Sequence, residues 1–205
     1  MNFKNLLTED GRRREVIRTM VKDIVTVYKE EDEGEFYLPN YINDEEDFYN
    51  FKGFENDVIL QLTLIENPNL DDFKINGDYW KEEDIIDISI EYNPNNKFQI
   101  LYDLVGQLNQ LVGHEIRHVD QKYKKLYNLN KKVPTNSLKY YSQPEEIDAQ
   151  YFGFNRLSKL SKTPLEKVID VWFEKNQDLH NLNSSEVKKI KELIINYGLT
   201  KTYTR

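Results

Sequence analysis

The apolar period of this chain switches from two to helical spacing at Asn93–Asn96, and that switch restricts the folds open to it. In Asp84–Tyr92 (DIIDISIEY), Ile86, Ile88 and Ile90 point one way while Asp87, Ser89 and Glu91 point the other, the alternation of a half-buried strand. Asn93-Pro94-Asn95-Asn96 stops that pattern. Beyond it the spacing becomes three and four: Phe98, Leu101, Leu104, Val105, Leu108, Leu111, Val112, Ile116, Val119 and Tyr123 form one stripe of a long helix. Asn95 or Asn96 can cap this helix, and the stretch from Asn128 to Pro134 ends it. With one helix before them, strands grouped together and helices grouped after them predict an α+β layout rather than alternating βαβ units.

The flanking segments extend the pattern. Thr8 to Tyr28 predicts a helix on Val16, Ile17, Met20, Ile24, Val27 and Tyr28, with Thr8 or Asp10 as cap and Arg12-Arg13-Arg14 as a solvated first turn. Glu35 to Leu38 predicts a short strand ended by Pro39, and Asp57 to Ile65 (DVILQLTLI) a longer one. Asp72 to Trp80 carries Asn76-Gly77-Asp78, a turn signal inside or beside a hairpin. Together these predict a small, mostly antiparallel sheet. Three further helices each open with a capping signal: Ser142-Gln143-Pro144-Glu145, Thr163-Pro164-Leu165-Glu166 and Asn183-Ser184-Ser185-Glu186. Residues 1–205 are expected to form a single domain, long enough to bury a core unaided.

Composition removes several function classes. A net charge of −8 argues against a nucleic-acid partner, since phosphate binding needs concentrated Lys and Arg. The acidic runs Lys29–Glu33 and Asp44–Asp47 are expected to solvate loops. The absence of cysteine excludes disulfides and thiolate metal sites, and suits a reducing cytoplasm. The N-terminal MNFKNLLTED lacks the apolar run of a signal peptide, and no stretch approaches the ~18 apolar residues of a membrane span. A cytoplasmic protein with no membrane partner is the expectation.

The chemistry is concentrated in LVGHEIRHVDQ, Leu111 to Gln121. On a helix, His114 and His118 (i, i+4) lie on one face, close enough for two imidazoles to hold one metal ion. Glu115 lies one step round, where a carboxylate can take a proton from metal-bound water. The histidines should project away from the Ile116 stripe, and Gly113 keeps bulk away from the metal side or from a neighbouring element. The competing reading is a solvated helix strip in which Glu115 pairs with a nearby Arg or Lys.

A catalytic zinc requires a third protein ligand and an open position. Ser142 to Phe152 (SQPEEIDAQYF) offers two adjacent carboxylates. With Ser142 as N-cap, Glu145 would reach back to the cap and leave Glu146 as the ligand. Ala149 and Gly153 would let this helix approach closely. The competing role for Glu146 is a first-turn carboxylate favoured by the helix dipole. His180 is the alternative third ligand, or a surface cap.

These residues resemble those of gluzincin metallopeptidases, in which H-E-x-x-H on one helix is completed by a Glu from a later helix. Glu146-Ile147-Asp148-Ala149-Gln150 is similar to the E-x-E-A-D/N pattern of the HtpX/Ste24 and ImmA/IrrE kinds. The resemblance covers about 84–156, with 157–205 as a helical buttress carrying Val168, Val171, Trp172, Ile190, Leu193 and Ile194. It implies a zincin-like fold, Zn2+ held by His114, His118 and Glu146, Glu115 as catalytic base, and a peptide or protein substrate paired along a strand, for which Asp84–Tyr92 is the candidate. Gln150 departs from the pattern. Asp148 or Asp120 can replace it in orienting a ligand histidine. The second donor to the oxyanion would be Tyr141, with Tyr140, Tyr151 and His180 as alternatives. A zincin-like module that binds a partner without hydrolysis and a metal-free helical interaction protein are the other functional readings.

Overall fold

In the computed structural model, residues 3–38, 58–127, 134–176 and 181–203 are described, with side chains from 13 to 201 within those ranges. Helix α1 runs Phe3–Glu30. It starts before Thr8 because Phe3, Leu6 and Leu7 continue the apolar spacing and no proline interrupts it. Arg12-Arg13-Arg14 consequently lie inside the helix, not in its first turn. Ile17, Met20, Val21, Ile24, Val27 and Tyr28 are buried along one side.

Strands β1 (Gly34–Leu38), β2 (Ile59–Glu66), β3 (Phe73–Trp80) and β4 (Ile85–Tyr92) form one sheet in the order β1-β2-β4-β3. β1–β2 and β3–β4 are antiparallel, whereas the central β2–β4 pair is parallel, so the sheet is mixed. The reason is burial. Leu60, Leu62 and Leu64 lie in register with Ile86, Ile88 and Ile90, and all six are buried, which puts the two most apolar strands side by side in the centre. β4 therefore has both edges paired and offers none to an extended peptide, contrary to the role expected for Asp84–Tyr92.

Asn76-Gly77-Asp78 does not turn. It runs straight through β3 opposite Ser89, Ile88 and Asp87. A Cβ at Gly77 would come within 2.9 Å of the Leu111 side chain, so this glycine makes room for a helix against the sheet. The hairpin turns instead at 81–84, where Asp84 adopts a left-handed φ of 57°.

A 3-10 turn at Pro94–Asn96 is capped by Asn93, whose side chain accepts from Asn95 N at 2.9 Å. Helix α2 (Leu101–Tyr123) follows, so neither Asn95 nor Asn96 caps it, and Phe98 stands before the helix, 66% exposed, outside the stripe. Leu104, Leu108, Val112, Ile116 and Val119 are fully buried as the spacing predicts. Lys97 clasps this region. Its ammonium donates to Glu31 O at 2.5 Å and lies over the rings of Tyr28 and Tyr92, which meet edge-to-face at 5.0 Å.

The chain divides into two compact units, Met1–Val119 and Asp120–Arg205, with the boundary inside α2. The second contains α3 (Ser137–Tyr141), α4 (Pro144–Ser161), α5 (Leu165–Asn176) and α6 (Ser184–Tyr203). Ile147 and Phe154 from α4, Val168, Ile169 and Phe173 from α5, and Val187, Ile190 and Ile194 from α6 form its core, so α4 packs against α5 and α6. Val171 is an exception at 46% exposed. The Asn183 capping box forms: Oδ1 accepts from Ser185 N and Glu186 N, and Glu186 Oε2 accepts from Asn183 N. The Ser142 box does not. Ser142 closes α3, its N–H donating to Leu138 O, and Gln143 takes the N-cap position of α4 with Pro144 next. The short helix α3 has claimed the serine.

Candidate metal centre

Within α2, the i, i+4 spacing brings His114 Nε2 and His118 Nε2 to 3.0 Å, with ring centroids 4.7 Å apart and planes at 79°. Two nitrogens bound at about 2.0–2.1 Å to one tetrahedral ion stand about 3.3 Å apart, so the imidazole pair suits a shared cation with little adjustment. Glu115 Oε1 is 3.9 Å from His114 Nε2, beyond hydrogen-bond reach and beside the pair. One donor atom from each of His114, Glu115 and His118 lies within 4.8 Å of the others, the one such group of potential metal ligands among the described residues.

All three side chains are buried: His114 and His118 are 7% exposed and Glu115 3%. The solvated-strip reading predicts the opposite. The histidines do not project into solvent opposite the Ile116 stripe, because α2 is covered on all sides from Val112 to Gln121, Arg117 excepted. Burying two imidazoles and a carboxylate together is costly unless hydrogen bonds or a cation compensate. The donor set and its spacing are those of a site that can hold a metal ion.

In the second unit, Glu146 lies in the first turn of α4, 6% exposed, next to the equally enclosed Glu145. With Gln143 as cap, Glu145 is the second helical residue and Glu146 the third, so the capping argument that set their roles apart does not apply. Glu145 meets its neighbours through its backbone: its carbonyl accepts from Gln121 Nε2 at 2.8 Å. Asp148 is enclosed by other partners. Its Oδ2 accepts from Gln121 Nε2 at 3.2 Å and its Oδ1 from the Tyr197 hydroxyl at 2.6 Å. Burial, then the adjoining Asp148 carboxylate, raises the Tyr197 pKa, so Tyr197 stays a donor. Asp120, fully buried, has Lys124 Nζ at 3.8 Å. Gln150 is 5% exposed and its Oε1 has no hydrogen-bond partner.

Tyr141 packs against the α4–α5–α6 core and meets Tyr140 edge-to-face at 5.1 Å. Tyr151 meets Tyr197 at 5.6 Å, and a Cβ at Gly198 would strike its ring. His180 and Asp44–Asp47 lie outside the described residues. Sequence reasoning missed Gln121 and Tyr197. The signal for Gln121 was its position, one turn beyond His118 on the same face of the helix (i+3, and i+7 from His114).

Comparison with protein-family models, with curated proteins and with solved structures finds no match to this chain.

Proposed function

We propose that the protein is a zinc-dependent metallopeptidase of the gluzincin kind, hydrolysing peptide bonds of a peptide or protein. The observation that carries the reading is the 3.0 Å approach of two buried imidazole nitrogens with the Glu115 carboxylate beside them. His114 and His118 would hold the ion, with Glu146 as its third ligand. The burial of Glu146 in the first turn of α4, and a Gln150 acceptor with capacity left one turn further on, support that choice. Zinc, when bound, is a Lewis acid that brings the pKa of a coordinated water to about 7. Glu115 takes the proton of the attacking water and delivers it to the leaving amine. Tyr141 would be the donor to the oxyanion.

An extended substrate needs a strand with a free edge. Among the described residues β1 and β3 are the outer strands, and β3 has Gly77 against Leu111, one turn before His114. The substrate pairs along β3, not β4.

The test is Glu115→Gln in protein purified without a histidine tag. Hydrolysis of a peptide library should fall by about 10²–10⁴-fold while zinc content is unchanged. Equal cleavage by wild type and variant would remove Glu115 from the chemistry. A protein that binds zinc and cleaves nothing would favour the partner-binding module.

A further inference from the structure

Glu146, the proposed third ligand, stands in the first turn of α4, so its placement depends on how firmly the start of that helix is held. Gln121 is fully buried in the last turn of α2, on the face that carries His114 and His118. Its side-chain amide makes two bonds to the start of α4, to Glu145 O at 2.8 Å in the first turn and to Asp148 Oδ2 at 3.2 Å just beyond it. These anchor points bracket Glu146 in sequence, one directly before it and one two residues after. The Asp148 carboxylate, 3% exposed, is fixed on its other oxygen by Tyr197 of α6 at 2.6 Å. The chain of contacts thus runs from α2 through α4 to α6, wholly within Asp120–Arg205.

We infer that Gln121 is a positioning residue of the metal centre, setting the first turn of α4 through Glu145 O and Asp148 while touching neither metal nor substrate. The inference rests on the metallopeptidase reading and deepens it. Only a side chain with an N–H donor at this position and length can hold a backbone carbonyl and a carboxylate at once. A leucine of similar volume fills the space and loses both bonds, leaving Asp148 with one fewer donor in a buried setting.

The experiment measures zinc affinity by competition with a chromophoric chelator, together with the visible absorption of the cobalt-substituted protein, for wild type, Gln121→Leu, Tyr197→Phe and Ile190→Val. Ile190→Val loosens the same helical core without touching the network. Gln121→Leu should bind zinc about 10–100-fold more weakly, the usual loss for a residue that holds ligands in place, and should shift the cobalt spectrum. Tyr197→Phe should change both in the same direction by less, and serves alone if Gln121→Leu does not fold. Ile190→Val should leave both as in wild type. Wild-type affinity and spectrum in Gln121→Leu, or equal losses in Ile190→Val, would overturn the role of Gln121 while leaving the metal reading intact. A wild-type chain whose zinc uptake is no greater than that of His114→Ala would overturn the metal reading itself.

Discussion

At residue scale, two carboxylates show how position decides charge. Asp87 of β4 faces Asp78 of β3 directly across the ladder, on the sheet face opposite the buried isoleucines. Burial first, then Asp78 and Glu35, holds its pKa above the usual aspartate value. The folded chain therefore binds this proton more tightly than the unfolded chain. The stability it contributes is complete in acid below the unfolded value, and is lost as pH rises through the folded one. Asp87→Asn removes that loss. Its melting temperature should exceed that of wild type at neutral pH, by the equivalent of about 0.2–1 kcal/mol for a like-charge cross-strand pair, and the gap should close in acid. A gap that widens in acid would contradict the assignment. The His114, Glu115 and His118 cluster was legible in the sequence because helix spacing alone brings i and i+4 together. Gln121 with Asp148, and Asp87 with Asp78, were not, because each pair depends on a contact between separate elements.

At element scale, the same distinction separates the two capping signals. Asn183-Ser184-Ser185-Glu186 is local and forms as spelled, whereas Ser142-Gln143-Pro144-Glu145 is pre-empted by α3, whose last turn takes the serine as its own end. Asn183→Ala should cost about 1 kcal/mol in urea denaturation. Ser142→Ala should cost almost nothing or stabilise, because its Oγ is buried without a hydrogen-bond partner. Comparable losses in the two variants would mean that the Ser142 side chain caps the start of α4. The strands were legible from their alternation, since Ile86, Ile88 and Ile90 are buried as read. Their order was not, because alternation says which face of a strand is buried and nothing about which strand lies beside it. Gly77 shows the same limit: Asn-Gly is a turn signal in isolation, but in β3 the glycine gives room to Leu111.

For the whole molecule, a four-stranded mixed sheet with α1 and the histidine-bearing part of α2 makes one compact unit, and the helices beyond make the other. Among the described residues no helix is long and apolar enough to cross a membrane. Metal analysis of tag-free protein decides whether the two imidazoles in α2 hold the proposed cation. About one zinc ion per wild-type chain is expected, and almost none in His114→Ala or His118→Ala. Wild-type protein with no more zinc than those variants would contradict that expectation.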